Sequence, residues 1–300
     1  MSNVVREKLS YYKYLFLYEL GKKRYPIRVH STAETLRTIH EKRCAISRFG
    51  DGEFDLIYGN GLKFQKYDPR LAEKMKTILR QASEQDTCKV AVPYALHSFV
   101  GLTCNSKKFW SYYSFENRER IHRLLDPSYT YYDAQITRIY VNRKNKMDSQ
   151  AYFQQWKMIW SGEDVLVVEG ISSRFGAGND LFADAKSVQR IICPAQNAFD
   201  YYDQILTAVT EHGKNKLVLL VLGPTATVLA YDLSRCGIWA VDAGNLDMEY
   251  EWSKVHATRQ MPVFGKYTHE AEHGTDVSVV VDQRYEEQIV ARIGVKTDGE

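Results

Sequence analysis

The second half of the chain alternates short, continuous apolar runs with segments of helical character. Four runs are clear: DVLVVEG (164–170), VQRIICP (188–194), KLVLLVLG (216–223) and GIWAVDAG (237–244). Strands that are apolar on both faces and are spaced by helices indicate a parallel sheet that is covered on both sides. The sequence therefore predicts an α/β, Rossmann-like fold with a mostly parallel sheet and helices on both faces.

The first half carries weaker signals of the same kind. Ser31 and Glu34 form a capping box before a helix that we expect to end near Lys42. Asp68 and Pro69 predict the start of another helix, because proline favours the first helical position. We expect strands at 44–47, 88–93 and 134–141, helices at 69–85, 106–125 and 149–160, and a candidate extra strand at 276–283.

Neither an internal repeat nor a linker-like stretch divides the 300 residues of the chain. We interpret the chain as an N-terminal helical segment, residues 1–30, followed by one Rossmann-like domain, residues 31–300. A content of 44% hydrophobic and 26% charged residues is typical of a globular protein. The net charge of +3 and the lack of a long basic run argue against a nucleic-acid partner.

The cysteines and the apolar segments of the chain indicate the cellular compartment in which the protein is expected to fold. Five scattered cysteines without a Cys-x-x-Cys pair favour a reducing cytoplasm and buried free thiols. We expect no secretory signal, and no apolar run approaches the roughly 20 residues that span a bilayer. The stretch YYKYLFLYELGKKR, residues 11–24, is a short apolar helix with a basic end. We expect it to pack on the domain or on a second subunit, with the inner face of an anionic membrane as the alternative.

In an open parallel sheet, ligands bind beyond the carboxyl ends of the strands, so the loops that follow strands are informative. The first is SRFGDGEF, in which Gly50 and Gly52 allow the backbone to approach a ligand closely. Asp51 and Glu53 are hard oxygen donors for Mg²⁺ or Mn²⁺, and in an extended stretch they would point to the same side. Arg48 offers a planar fork to a phosphate. A plain Asp-Gly turn is the alternative.

Two further loops have features of phosphate sites. EGISSRFGAGNDLF (169–182) contains three glycines with Arg174 and Asn179, although it lacks the third glycine of the dinucleotide fingerprint. In VLGPTATVLAYDL a buried strand turns at Gly223 into a helix whose free N–H groups and Thr225 hydroxyl would attract phosphate. The alternatives are a connection without a ligand and a simple helix cap.

The fourth loop, VDAGNLDMEYEW (241–252), is acidic. Asp242, Asp247, Glu249 and Glu251 crowd the end of another predicted strand. A solvated acidic helix start would explain them when the loop is considered alone. Beside an Asp-x-Glu and two phosphate-type loops, they become candidates for a second metal ligand or a general base.

The stretch HEAEH (269–273) matches the His-Glu-x-x-His pattern of zinc proteases. That chemistry needs a helix that holds both imidazoles on one face. Gly265 lies before the motif and Gly274 follows it, so any helix would be barely one turn long. We therefore predict that His269 and His273 do not bind zinc.

Six stretches of the chain form a recognisable series: SRFGDGEFDLI, QITRIYVNR, VVEGISSRFGAGNDLF, RIICPAQNAFDYYDQIL, LGPTATVLAYDL and GNLDMEYEW. Together they resemble the bacterial GT-D-type glycosyltransferases, a family first catalogued as a domain of unknown function, from about residue 40 to about residue 270. The resemblance implies a Rossmann-like fold and transfer of a sugar from a nucleotide diphosphate sugar, typically UDP-linked. It implies that Asp51 and Glu53 are the family's Asp-x-Glu, placed at the metal and the diphosphate. Family members often add sugars to bacterial surface glycoproteins or polysaccharides.

One position departs from the pattern of the family. Where Gly-His-x-Asp is expected, the chain has Gly244-Asn245-Leu246-Asp247. A histidine role in phosphate contact or proton transfer is therefore not implied for this chain. Asn245 can still donate a hydrogen bond.

The residues and the resemblance together predict a metal-dependent glycosyltransferase of the hexosyltransferase class. The expected cofactor is Mn²⁺ or Mg²⁺, the donor is a UDP-sugar, and the acceptor is a glycan or a glycosylated protein. A nucleotide-sugar hydrolase and a non-catalytic nucleotide-binding protein are the alternatives. The predicted metal ligands are Asp51 and Glu53, and the predicted general base is Asp247, Glu249 or Glu251. The predicted donor-binding residues are Arg48, Phe49, Gly50, Gly52, Arg174, Gly178, Asn179, Gly223, Pro224, Thr225 and Asn245.

Overall fold

The computed structural model describes residues 3–83, 85–278 and 280–295. Within these residues the strands, numbered in chain order, are β1 Ala45–Arg48, β2 Cys88–Val92, β3 Tyr132–Asp133, β4 Asp164–Gly170, β5 Ser187–Cys193, β6 Leu217–Val221, β7 Trp239–Asp242 and β8 Ile289–Arg292. They form one sheet in the order β3-β2-β1-β7-β6-β4-β5-β8, and all neighbouring strands are parallel. The predicted α/β, Rossmann-like class is confirmed.

Helices surround the sheet and connect its strands. Within the described residues they are α1 Asn3–Arg24, α2 Thr32–Lys42, α3 Asp51–Ile57, α4 Pro69–Arg80, α5 Cys104–His122, α6 Lys146–Trp160, α7 Tyr202–His212, α8 Pro224–Arg235, α9 Leu246–Lys254 and α10 Gln283–Glu287. Short 3-10 turns lie at Tyr94–Leu96, Ala134–Thr137 and Ala198–Tyr201. The capping box predicted before α2 is present, because Ser31 Oγ accepts the Glu34 N–H and Glu34 Oε2 accepts the Ser31 N–H.

The central strands carry the core. Residues 165–168 of β4 and 217–220 of β6 are each 0% exposed, as expected for strands that are covered on both faces. Residues 224–231 of α8 are buried, and this helix packs on β1 and β7. Burial of each large aliphatic side chain contributes roughly 1.5–3 kcal/mol. The continuous apolar runs of the sequence are therefore the strands that stabilise the sheet.

Two predicted strands are wrong. In 134–141, β3 stops at Asp133, whose carboxylate accepts the N–H of Gln135 and turns the chain into a 3-10 turn. In 276–283 the described residues form no strand, position 279 lies outside them, and Asp282 caps α10 by accepting the N–H of Tyr285. The edge of the sheet is instead β8, which pairs with β5. In both places an aspartate carboxylate accepts a hydrogen bond from a nearby backbone N–H, and such bonds compete with strand pairing.

The N-terminal helix α1 packs on the domain through α5. Tyr18 is buried there, donates its hydroxyl hydrogen bond to the Ala95 carbonyl, and stacks on Phe99 with 3.8 Å between ring centroids. The packing of residues 11–24 on the domain, which was one of the contacts expected for them, is therefore present in the structure. Among the described residues no helix is both long and apolar enough to cross a bilayer. The division at residue 30, and a subunit or membrane contact of α1, stay predictions.

All five cysteines are free. Cys44, Cys88 and Cys193 are buried in or beside strands, as predicted for unpaired thiols of a reducing environment. Cys104 begins α5 and Cys236 directly follows α8, and both are exposed. The prediction of buried thiols is therefore wrong for these two, because helix ends lie nearer the surface than the central strands.

Candidate functional site

A cleft with a volume of about 750 Å³ opens at the carboxyl ends of the strands. Its lining includes Arg48 and Asp242, the last residues of the neighbouring strands β1 and β7. β2 and β3 lie on one side of this pair and β6 and β4 on the other, so the two halves of the sheet meet here. Open parallel sheets bind ligands at such switch points.

The guanidinium of Arg48 is held by the protein itself. Its Nη2 donates to Asp242 Oδ1 at 2.7 Å, and its Nε donates to the Asp242 carbonyl at 2.8 Å. Its Nη1 donates to the Ala134 carbonyl and to Thr137 Oγ1, both at 2.7 Å. Burial raises the pKa of Asp242, and the Arg48 cation opposes that rise. Arg48 therefore lines the cleft. Its guanidinium, which we predicted to bind a phosphate, instead joins β1 to β7 and to the 3-10 turn after β3.

Gly244 and Asn245 follow β7 at the edge of the same cleft. Gly244 has a φ of +41°, and a Cβ at this position would overlap Arg48 Nη2, so glycine is required beside the guanidinium. The Nδ2 of Asn245 is buried and has no hydrogen-bond partner among the described residues. A buried donor without a partner is costly, and a ligand in the cleft would satisfy it. This geometry fits the predicted donor contact of Asn245.

Asp51 and Glu53 lie in the first turn of α3, so the extended geometry predicted for them is wrong. Gly50 precedes the helix, and Glu53 Oε2 accepts its N–H at 2.7 Å. Helix N-termini expose free N–H groups, and an acidic side chain at the third position satisfies one of them. Both carboxylates line the cleft together with Gly50 and Gly52, as the strand-end rule predicts.

Negative charge is concentrated beside the start of α3. Burial, together with the neighbouring carboxylates of Asp242 and Asp51, raises the pKa of Glu53 to about 7. Among the described residues no three His, Cys, Asp or Glu side chains are arranged to hold a metal ion on their own. Mg²⁺ sites often use one or two carboxylates and take further ligands from substrate phosphates and water. Asp51 and Glu53 could supply two ligands of this kind, and a metal ion at this position stays a prediction.

The start of α8 reaches the cleft at Gly223. Gly223 has a φ of +53°, and a Cβ there would come within 2.9 Å of Phe64, so Phe64 packs directly on this glycine. Pro224 and Thr225 are buried in the first turn of the helix and lie outside the cleft lining. Thr225 Oγ1 has no hydrogen-bond partner among the described residues. Of the three predicted residues here, Gly223 is thus the one that lines the cleft.

Only the beginning of the glycine-containing segment at the end of β4 lines the cleft. Gly170 and Ser173 line the cleft. Arg174, a predicted donor contact, instead pairs with Asp282 at 2.7 Å and lies over the ring of Tyr285 at 4.5 Å. The first residues of the loop could therefore contact a ligand. The Arg174 guanidinium instead holds the segment before α10 in place.

Asn179 and two of the predicted bases form a separate network outside the cleft lining. The Asn179 amide donates to Asp247 Oδ1 at 2.8 Å and to Glu251 Oε1 at 2.6 Å. Lys266 pairs with the same two carboxylates at 2.6 and 3.0 Å. Burial raises the pKa of Asp247, and Lys266 opposes that rise. Gly178, with a φ of +74°, turns the loop into this network.

Glu249 and Phe49 also lie outside the cleft lining. Glu249 Oε2 accepts the N–H groups of Tyr140 and Val141 at 2.6 and 2.9 Å, and burial raises the Glu249 pKa to about 7. Phe49 is 0% exposed and packs in the core near Phe54, so its side chain does not reach the cleft, and the donor-binding role predicted for this residue gains no support. Side chains at a strand end alternate between core and cleft, and the local sequence does not distinguish them.

The sequence does not predict the outer wall of the cleft. Arg138 and Glu270 form an ion pair there, although 131 residues separate them in the chain. His269 stacks on Phe64 with 4.7 Å between ring centroids, and its Nε2 is 2.9 Å from the hydroxyl oxygen of Tyr267. One feature of the sequence could have pointed to this wall: Arg138 belongs to QITRIYVNR, one of the six stretches that carry the family resemblance.

The HEAEH motif forms bends and turns rather than a helix. His269 belongs to the cleft wall, whereas His273 is exposed, with one ring nitrogen 3.5 Å from Asp276. The two imidazoles are therefore not presented by one helical face. That they do not bind zinc stays a prediction, which this geometry supports.

Comparison with known proteins identifies the family of the chain. The family model described as the glycosyltransferase GT-D fold matches residues 46–271. The probable glycosyl transferase Gly of Streptococcus gordonii is 36% identical over 267 residues, which are 89% of this chain and 39% of the relative. Glycosyltransferase GlyD of Streptococcus pneumoniae serotype 4 is 36% identical over 267 residues, or 89% of this chain and 33% of the relative. The chain thus spans well under half the length of these curated relatives.

Solved structures show the same fold. A highly conserved domain of unknown function, described as having a distinct glycosyltransferase fold, superposes with a TM-score of 0.86 at 37% identity. The match covers 93% of this chain and 100% of that domain. A structure described as a new glycosyltransferase from Streptococcus sanguinis gives a TM-score of 0.84 at 37% identity, over 89% of this chain and 100% of that one.

Proposed function

The chain belongs to the glycosyltransferase family with the GT-D fold, and from this premise we propose that it transfers a sugar from a UDP-linked donor, with Mn²⁺ or Mg²⁺, to a glycan or glycosylated protein. One observation carries the proposal. Asp51, Glu53, Gly223 and Asn245 lie at the starts of three separate helices, α3, α8 and α9, and line one cleft at the switch point of the sheet. Carboxylates, a helix start and an unpaired amide are the groups that a metal-bound diphosphate requires.

The start of α8 is the proposed diphosphate contact. A helix N-terminus carries roughly half a positive charge together with free N–H groups. Gly223 is exposed although Phe64 packs beside it, and because it has no side chain its backbone can approach a ligand closely. The buried amide donor of Asn245 supports the same role from β7, since it has no partner among the described residues.

Asp51 and Glu53 are the proposed metal ligands. A divalent cation between the phosphates stabilises the negative charge of the departing nucleoside diphosphate. The chain's own contribution is to present two carboxylates from one helical turn, with Glu53 held by the Gly50 N–H. Burial, and to a smaller extent the carboxylates of Asp242 and Asp51, raises the pKa of Glu53, and a bound cation would favour its ionised form.

The identity of the general base stays a prediction. Asp247 and Glu251 are engaged by Lys266, and Glu249 is engaged by the backbone after the 3-10 turn. We therefore propose that Asp247 and Glu251 act as positioning residues, which hold the segment 265–270 in the cleft wall. The acidic side chains of α9 thus have a different role from Asp51 and Glu53, which line the cleft.

The test of the function is UDP release from a panel of UDP-sugars in Mn²⁺, with and without glycan acceptors. We expect Asp51→Asn to abolish transfer, and Asp55→Asn, on the same helix but outside the cleft lining, to retain it. Free sugar that forms at the same rate with and without acceptor would indicate a hydrolase. Nucleotide binding without any turnover would indicate a non-catalytic binding protein.

A further inference from the structure

The first two turns of α5 form one wall of the cleft, called here the α5 wall. Asn105, Ser106, Phe109 and Trp110 line this wall from one face of the helix. Phe109 is 48% exposed, and of the exposed aromatic side chains of α5 it is the one that lines the cleft. Trp110 is buried and meets the Phe109 ring edge-on, at 5.2 Å and 85°. The Phe109 ring is therefore supported by the core while much of it stays open.

The α5 wall is joined directly to the proposed metal site. Tyr113 follows Phe109 by one helical turn, and the two rings are nearly parallel, with 5.9 Å between centroids. The Tyr113 hydroxyl donates to the Asp51 carbonyl at 3.3 Å. The open ring of Phe109 thus lies one side chain away from the residue proposed to hold the metal. A group bound on Phe109 would be close to the reacting end of the donor.

The chemistry of the wall matches a sugar ring. A pyranose presents an apolar C–H face and a rim of hydroxyl groups, so it pairs an aromatic surface with amides. Asn105 is exposed one helical turn before Phe109, and Asn142 lines the cleft beside the start of α5, where its Oδ1 accepts a hydrogen bond from the Ser106 hydroxyl at 3.0 Å. We propose that Phe109 is the platform on which the acceptor sugar stacks, with Asn105 and Asn142 placed to contact its hydroxyl groups.

This inference rests on the proposed function, and the arrangement of the sheet favours acceptor over donor. The proposed diphosphate contacts, Gly223 and Asn245, follow β6 and β7, which lie on one side of β1. α5 follows β2 on the other side of β1. A nucleotide that extends from the metal toward Gly223 leaves the α5 wall open to solvent, and an acceptor must enter from solvent.

The test is Phe109→Ala in the full chain, with the preferred UDP-sugar in Mn²⁺ as donor. The acceptor probes are the methyl glycosides of glucose, galactose, N-acetylglucosamine and N-acetylgalactosamine. We expect the acceptor KM to rise about tenfold, which corresponds to about 1.4 kcal/mol and lies within the range of an aromatic contact. The Kd for UDP, measured by calorimetry, should not change. Phe109→Tyr keeps the ring and should restore the wild-type KM.

Phe115→Ala is the matched control, because Phe115 is also 48% exposed on α5 but lies outside the cleft lining. Its acceptor KM should equal that of the wild type. An unchanged acceptor KM in Phe109→Ala would overturn the inference, as would a wild type that neither binds nor glycosylates any of the four probes. A loss of UDP affinity in Phe109→Ala would assign the ring to the donor instead. A wild type that does not bind UDP in Mn²⁺ would contradict the proposed function itself.

Discussion

Arg48 joins the two halves of the sheet by donating to both the side chain and the main chain of Asp242, at 2.7 and 2.8 Å. The pairing between β1 and β7 is short, with Ile46 in register with Val241. The Arg48 side chain therefore supplies contacts at the strand ends that the backbone pairing does not. Because these contacts form the floor of the cleft, the stability of the sheet and the geometry of the site depend on the same pair.

Replacement of Arg48 by methionine should mainly reduce stability. The change leaves Asp242 buried without its cation, and breaking a buried pair in this way costs about 3–5 kcal/mol. Urea unfolding measures the loss. Arg43→Met is the control, because the Arg43 side chain is 58% exposed in its pair with Glu163, and such pairs contribute about 1 kcal/mol or less. If both variants were equally stable and Arg48→Met alone lost UDP affinity, Arg48 would be a phosphate ligand after all.

Removal of the Asn245 amide should weaken donor binding. Asn245 Nδ2 has no partner among the described residues, so a diphosphate oxygen would gain a hydrogen bond there. A hydrogen bond to a charged group contributes about 1.5–3 kcal/mol, so Asn245→Ala should raise the Kd for UDP at least about tenfold. Calorimetry in Mn²⁺ measures this, with the exposed Asn60→Ala as control. Wild-type affinity in Asn245→Ala would remove Asn245 from the donor site.

The ionisation of Glu53 should make stability fall as the pH rises. The Glu53 pKa is about 7 in the folded protein and 4.5 for an unperturbed glutamate, so the unfolded chain loses this proton first. The contribution of Glu53 to the free energy of unfolding therefore declines between about pH 4.5 and pH 7 and stays low above that. Glu53→Gln should remove the decline, so its stability relative to the wild type should be greater at pH 8 than at pH 5.

Urea unfolding at the two pH values measures this difference. Glu116→Gln, an exposed carboxyl on α5, controls for the general effect of removing a negative charge. Glu249 also has a pKa raised to about 7 by burial, and it contributes equally to the wild type and to both variants. Identical pH dependence in Glu53→Gln and the wild type would show that Glu53 is already balanced by a cation in the free protein.

Lys266 should be needed for the cleft wall. Lys266→Met leaves Asp247 and Glu251 facing each other without a cation, which costs about 3–5 kcal/mol for a buried pair. Hydrogen exchange should increase in the segment 265–270, because Lys266 anchors it to α9. Lys254→Met is the control, since Lys254 is 44% exposed and lies 3.9 Å from Asp180. Equal exchange in the two variants would contradict the anchoring role.

The fold could be predicted because its central strands are recognisable from short stretches of sequence. Runs such as DVLVVEG and KLVLLVLG are apolar on both faces, and they are the buried strands β4 and β6. The two errors lie at the sheet edges, where strands are short and less buried. β3 has two residues, and β8 has four that are mostly half-buried, so neither has a strong apolar pattern. A single aspartate, Asp133, suffices to end the first of them.

The candidate site could be predicted only in part, for a different reason. The strand-end rule correctly places Asp51, Glu53 and Gly223 in one cleft. It does not predict that Arg174 pairs with Asp282 and that Asp247 pairs with Lys266, because these partners lie 108 and 19 residues away in the chain. Local sequence identifies chemically capable side chains, but long-range ion pairs decide which of them face a ligand.

Metal and UDP should bind together at Asp51 and Glu53. The diphosphate brings two negative charges to two carboxylates, and each like pair at about 4 Å costs on the order of 4 kcal/mol at an effective dielectric near 20. One helix end, with roughly half a charge, cannot balance this. The decisive measurement is calorimetric titration of UDP in Mn²⁺ and in excess EDTA. We predict at least about tenfold tighter binding in Mn²⁺, the same factor for the effect of UDP on Mn²⁺, and loss of both in Asp51→Asn. Equal affinities in Mn²⁺ and EDTA would contradict the metal site.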